Sequence, residues 1–283
     1  MRWRGRRQSS NIDDRRGART GRASLGGGLG VIAILIAGYF LGIDPRPFLQ
    51  LLQQTQQTTQ PPATGVPGPA DDASQFTAVV LADTEDAWNV LLPQVGKRYE
   101  EPRLVLFSGR VNSACGLASA AVGPFYCPAD RQVYIDLIFF EDLRTRFGAG
   151  GDFAQAYVIA HEIGHHVQTL IGVSQQVQRL KARASTVDAN RLSVRQELQA
   201  DCFAGIWAHH TERSKQILEA GDVEEALNAA SAIGDDRLQK QSRGYVTPDS
   251  FTHGSAEQRV RWFRRGLERG ELSDCDTFNA QQL

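Results

Sequence analysis

The feature that most constrains the fold is a polar cluster, His161-Glu162-Ile163-Gly164-His165, set inside an otherwise apolar helical pattern. Apolar residues recur at 153, 156/157, 160, 163, 167 and 170/171, the spacing of a helix face. Asp152, after two glycines, reads as the N-cap, and Gly172 as the stop. Two histidines four residues apart lie one turn apart on the same face. Both imidazoles can therefore reach one Zn²⁺ at about 2.0–2.1 Å. Glu162 projects to the side of that pair, where it can serve as general base toward an activated water. Polar groups buried in so apolar a helix need partners. Gly164 leaves one side bare for a close neighbour, and His166 points elsewhere and reads as a packing or supporting residue.

A catalytic zinc keeps three protein ligands and one open position. A histidine ten residues after the first would supply the third, but residue 171 is Ile. The alternative is a carboxylate. Residues 193–211 form a helix with Leu198, Cys202, Phe203, Ile206 and Trp207 as its core stripe. Glu197 and Asp201 stand one turn apart on it. Glu197 is the candidate third ligand. Asp201 is the candidate acceptor for the spare N–H of a ligand histidine, which would set its tautomer.

Charge divides the chain unevenly. The whole carries 31 basic and 32 acidic residues. Residues 1–24 hold eight Arg and two Asp, a local +6, which leaves the rest at −7 and without the basic excess of a nucleic-acid binder. Residues 26–43 follow with no charge at all, 18 residues against the roughly 17–25 of a membrane span. A cleaved signal peptide would also begin this way, but no Ala-x-Ala site follows, and Ile43-Asp44-Pro45 does. The expected organisation is a basic cytoplasmic tail (1–25), a transmembrane anchor (26–43), a Pro/Gln-rich disordered linker (44–74) and one folded domain (75–283). Six of eleven prolines fall between 45 and 69, and such composition buries too little apolar surface to fold. The positive-inside rule would keep the arginines cytoplasmic and place the domain outside.

An exported domain meets oxidising conditions, and four cysteines are an even number. Of the three pairings, locality favours Cys115 with Cys127, leaving Cys202 with Cys275. The alternative is buried free thiols.

The pattern His161-Glu-x-x-His165 followed by Glu197-x-x-x-Asp201 resembles that of the gluzincin peptidases. More closely, the chain resembles the bacterial neutral zinc metallopeptidase family, through Asn112-Ser-Ala-Cys-Gly-Leu-Ala, Gly123-Pro-Phe-Tyr-Cys-Pro, His161-Glu-Ile-Gly-His-His, Arg195-Gln-Glu-Leu-Gln-Ala-Asp-Cys and His253-Gly-Ser-Ala-Glu-Gln-Arg. The resemblance spans about residues 76–278 and implies zinc, peptidase activity and a peptide or protein substrate. It also implies that a substrate lies as an added strand along a sheet edge beside the active-site helix. Strands at 118–122 and 133–137 are the expected edge.

His253 precedes the capping box Ser255-Ala-Glu-Gln258, which predicts a helix over 256–269. Similarity to membrane zinc endopeptidases of the prenyl-protease type makes His253 a candidate catalytic residue, stabilising the oxyanion; a structural role is the alternative. Tyr157 and Tyr245 are weaker candidates. Arg259, Arg261, Arg264 and Arg265 read as a solvated face, and His209-His210 as a structural pair at a helix C-terminus. Residues 173–190 could act as a lid. The expected fold is α+β: a zincin-like body with two ligand helices and a small mixed sheet, plus one transmembrane helix. The expected reaction is peptide-bond hydrolysis with Glu162 as base. Rival readings are a zinc-binding periplasmic scaffold and a zinc amidase acting on the cell envelope.

Overall fold

The computed structural model of the chain describes residues 1–16, 71–119 and 123–283. Its elements run β1 (Ile12–Asp14), α1 (Asp72–Gln94), β2 (Arg103–Phe107), β3 (Arg110–Ser113), β4 (Gly116–Ser119), β5 (Phe125–Cys127), β6 (Gln132–Asp136), α2 (Ile138–Thr145), α3 (Asp152–Ile171), α4 (Val173–Lys181), α5 (Thr186–Lys215), α6 (Asp222–Ala232), α7 (Asp235–Arg243) and α8 (Ala256–Arg269). The α+β expectation holds. Among the described residues no helix is long and apolar enough to cross a membrane. The expected span at 26–43 and nearly all of the linker lie outside those residues.

The main sheet has the order β1-β2-β6-β5. β2 pairs with β6 in parallel, Arg103 opposite Gln132 and Phe107 opposite Asp136. β5 closes one edge antiparallel to β6, Phe125 opposite Tyr134. The run Arg-Leu-Val-Leu-Phe in β2 is apolar on successive residues because both faces are covered. Leu104 and Leu106 enter the helical core, while Val105 and Phe107 join Val111 and Tyr134 under the β3–β4 hairpin. Of the expected edge strand at 118–122, residues 120–122 lie outside the described residues. Residues 116–119 pair with β3 in a separate hairpin, and the outer strand of the main sheet is the shorter β5. Period-2 alternation is too brief in three residues to be legible beforehand.

α3 is the central helix, apolar almost all round because β5, β6 and four helices pack on it. Two close approaches fix its surroundings. A Cβ at Gly164 would lie 2.9 Å from the Ala200 carbonyl oxygen, so α5 passes against that bare side. A Cβ at Gly266 would lie 2.0 Å from the Cys202 carbonyl oxygen, so α8 crosses α5 backbone to backbone. Any larger residue at Gly266 would force the two helices apart. The start of α3 differs from expectation: Gly151, at φ 125°, is the cap residue and Asp152 is already helical. The Phe153 amide is instead capped by Glu225 of α6 at 3.1 Å. Gly172 ends the helix in the left-handed conformation, as expected.

Two expected boundaries are corrected. After the residues that are not described, the body resumes at α1, capped by Asp71, so residues 72–74 belong to a helix rather than to the linker. Residues 1–13 are not a tail. They form one compact unit with residues 70–283. The Met1 ammonium ion pairs with Asp152 at 2.5 Å and Asp222 at 3.3 Å, Arg6 pairs with Asp83, and the Leu104 amide donates to the Asn11 carbonyl. The physical reason is α1, which carries Asp83, Glu85 and Asp86 on a surface that the arginines neutralise.

Both disulfides pair as expected, Cys115–Cys127 and Cys202–Cys275. The first ties the β3–β4 turn to the edge strand β5. The second fastens the C-terminal segment to α5.

Candidate metal centre

α3 and α5 cross so that one face of each meets at a shared point. His161 and His165 present their Nε2 atoms to opposite oxygens of Glu197, at 3.2 Å and 3.4 Å. Ligands about 2.0–2.1 Å from a tetrahedral cation lie roughly 3.3–3.4 Å from one another. The spacing of each imidazole from the carboxylate therefore matches that of two ligands on one zinc ion, and one donor atom from each of the three residues lies within 4.8 Å of the others. Their chemistry fits as well, since two imidazoles and a carboxylate with an open fourth position make a catalytic donor set. The expected ligands His161, His165 and Glu197 are thus brought together.

The outward nitrogen of each ring is held by a different partner. His161 Nδ1 lies 2.8 Å from Asp201, as expected of that residue. Asp201 is fully buried, and it also accepts from the Tyr157 hydroxyl at 2.5 Å and from two nitrogens of Arg259, both at 2.9 Å. Burial would raise the Asp201 pKa, but Arg259 and His161 hold it down at about 2. Glu197 is likewise driven well below the usual carboxylate range: burial opposes ionisation, and the two histidines outweigh it. Burial lowers the affinity of His161 for a proton, yet Asp201 and Glu197 together raise its pKa to about 10.

Arg259 corrects the expectation of a solvated arginine face. It is 2 % exposed. A signal was present: Ala256, Arg259, Phe263 and Gly266 fall at helical spacing on one buried face of α8. Tyr157 is buried as part of the same cluster, whereas Tyr245 is exposed, at 62 %.

The second ligand histidine uses an amide, which sequence reasoning missed. His165 Nδ1 lies 2.9 Å from Gln168 Oε1. The Gln168 nitrogen donates to the Gln196 carbonyl at 2.7 Å and to Gln199 at 3.1 Å. Gln199 in turn donates to the Cys275 carbonyl. The legible trace was the i, i+3 spacing of His165 and Gln168 on one helix. The Gln168→Ala variant is expected to bind zinc 10- to 100-fold more weakly, the usual effect of losing such a partner. Competition with a chromophoric chelator measures this; unchanged affinity would show the contact to be idle.

Glu162 is buried against the same cleft, and no described residue donates a hydrogen bond to it. The cleft has a volume of 940 Å³ and is walled by β5, α2, α4 and the loop at His253. α4, from the stretch expected as a lid, forms a wall through Ser174, Val177 and Lys181.

His253 lies in this cleft at the start of the loop before α8. Its Nδ1 is 3.2 Å from Asp235, whose carboxylate also accepts the amides of Thr252, His253 and Gly254. That hydrogen bond raises the His253 pKa, and burial only partly opposes it. Asp235 left no local signal, because it comes from a different helix.

His166 sits behind the ligand face. Its Nε2 lies 2.6 Å from the Glu100 carbonyl and its Nδ1 3.1 Å from the hydroxyl of Tyr126 on β5. Burial lowers its pKa to about 4, so it is neutral. It fastens the edge strand to the ligand helix. His209 and His210 bond the carbonyls of Leu267 and Gly270, the structural role expected of them.

The chain is 50% identical over 290 residues to an uncharacterized protein of Escherichia coli, YpfJ, covering 98% of this chain and 99% of that one. It is 43% identical over 261 residues to an uncharacterized protein of Mycobacterium tuberculosis, covering 86% and 85%. No solved structure matches. The family model described as "Putative neutral zinc metallopeptidase" matches residues 1–278, the amino-terminal arginine-rich segment included. The chain belongs to that family.

Proposed function

We propose that the protein is a zinc-dependent peptidase in which His161, His165 and Glu197 hold the metal and Glu162 is the general base. The observation that carries this is Glu162 itself. A buried carboxylate with no donor among the described residues faces the same cleft as a three-ligand donor set. A structural zinc site fills its fourth position with a protein ligand and has no use for such a base.

Bound there, a zinc ion supplies a Lewis acid that polarises a carbonyl and makes water acidic. Glu162 takes the proton from the attacking water and delivers it to the leaving amine. Asp201 keeps the His161 proton on Nδ1, so that Nε2 offers its lone pair; Gln168 does the same for His165. His253, oriented by Asp235, donates from Nε2 to the oxyanion that develops on the attacked carbonyl. The free edge of β5, pinned through Tyr126 to His166, offers backbone groups to an extended peptide, which favours broad sequence tolerance. An extracytoplasmic setting is part of the proposal, supported by the two disulfides.

The test is incubation of the purified chain with a diverse peptide library. Cleavage that a chelator abolishes and added zinc restores is expected. Zinc bound in stoichiometric amount with no cleavage of any peptide would overturn the peptidase reading.

A further inference from the structure

Gln168 and Gln199 are buried amides on the side of the ligand helices away from the cleft. The two ends of an amide are unlike: its oxygen only accepts and its nitrogen only donates. Which end of Gln168 meets His165 therefore decides which imidazole nitrogen carries the proton. Against the oxygen, Nδ1 must donate, and Nε2 keeps its lone pair for a metal. Against the nitrogen, Nδ1 must accept, and the proton moves to Nε2, where it blocks that lone pair.

A chain of hydrogen bonds holds the first arrangement. Gln168 Oε1 lies 2.9 Å from His165 Nδ1. The two hydrogens on the Gln168 nitrogen are both taken, by the Gln196 carbonyl at 2.7 Å and by Gln199 Oε1 at 3.1 Å. Gln199 is oriented in turn, because its own nitrogen donates to the Cys275 carbonyl at 3.1 Å. A backbone carbonyl can only accept, so the direction of the chain is set at that end. Turning Gln199 over would put its oxygen against the Cys275 carbonyl and its nitrogen against that of Gln168. Both amides are buried, so water does not relieve such a mismatch.

The carbonyl that sets the direction is itself held. Cys275 is fully buried and disulfide-bonded to Cys202, one turn along α5 from Gln199. It also accepts the Thr277 amide at 2.9 Å. The Thr277 hydroxyl donates to the Arg195 carbonyl at 2.6 Å, and the Arg195 guanidinium donates to the carbonyls of Thr277 and Ala280. The other ligand, His161, needs no such chain, since it faces the Asp201 carboxylate.

We infer that Gln199 is a positioning residue for the metal centre: oriented by the disulfide-anchored Cys275 carbonyl, it fixes the amide of Gln168 and through it the tautomer of His165. The inference rests on the zinc-site reading and adds to it a residue that touches neither a ligand nor the cleft.

The Gln199→Met variant of the full chain tests it. Methionine keeps the length of the side chain and its preference for a helix, but gives Cys275 no donor and Gln168 only a weak acceptor. Zinc affinity is measured by competition with a chromophoric chelator. The Nδ1 protons of His161 and His165 are followed in the zinc-loaded chain by long-range proton–nitrogen correlation. Zinc binding is expected to weaken by about 3- to 10-fold, at or below the low end of the effect of losing a direct partner. The His165 Nδ1 proton signal should be lost to exchange with water while that of His161 persists. Unchanged affinity with both signals intact would overturn the inference. So would loss of both signals together, which marks general loosening of the fold. A parent chain that takes up no zinc would end the metal site and this role with it, whereas zinc uptake without cleavage would end the peptidase reading alone. Gln199→Leu replaces a variant that fails to accumulate.

Discussion

The Glu162→Gln variant is expected to keep its zinc and lose peptide cleavage by about 10²–10⁴-fold, the usual contribution of a positioned general base. The amide is nearly the same size as the carboxylate, and Glu162 is not among the three converging donors. Metal content by atomic spectroscopy should therefore match the parent chain, and kcat should carry the loss. A variant that loses zinc along with activity would make Glu162 a ligand instead. His253→Phe provides the contrast. It leaves both the ligands and the base in place, so kcat is expected to fall, by about 10²-fold or more if the oxyanion donor is lost. Zinc affinity should not change, because His253 contacts Asp235 and Thr252 and no ligand.

Arg259→Met is expected to destabilise the fold by about 3–5 kcal/mol, the cost of stranding one member of a buried ion pair. Arg259 is fully buried, and its partner Asp201 has no access to water. Methionine fills much of the volume but leaves the carboxylate with only Tyr157 and His161. Denaturant melts of the metal-free protein measure the loss, and a change under 1 kcal/mol would show that the pair is dispensable. The variant should also shift the acid transition. In the parent chain the Asp201 pKa is lowered to about 2, so its stabilising contribution is present above the ordinary carboxylate value and disappears as pH falls through about 2. Without Arg259 that pKa rises, and the contribution is lost at a higher pH.

Most of the ligand set was legible because it is local. His161, Glu162 and His165 are positioned relative to one another by helix geometry alone, and so are Glu197 and Asp201. One turn of an α-helix places residues four apart on the same face whatever surrounds it. The capping box at Ser255 and the stop at Gly172 were legible for the same reason. Arg259 was misread because charge outweighed position: its spacing was that of a core residue, but arginine is almost never fully buried without a partner. That partner, Asp201, lies 58 residues away.

The amino-terminal segment shows the opposite case. Its composition shows an excess of arginine, and composition carries no information about which charges meet. Only the packing of α1 beside it brings Asp83, Glu85 and Asp86 within reach of its arginines. The edge strand β5 was likewise invisible, since three residues have no periodicity, and it exists because β6 supplies its hydrogen bonds.

The sequence by itself determined the chemistry available to this protein: which side chains share a helix face, where those helices begin and end, and hence that two imidazoles and a carboxylate could meet. The tertiary structure alone decided the distances between the two ligand helices, which partner holds each imidazole, and which arginines are buried against which acids. The division follows from range. Helical periodicity acts over a few residues and is written along the chain, whereas ion pairs and backbone contacts such as Gly164 against Ala200 join positions whose approach depends on the whole core.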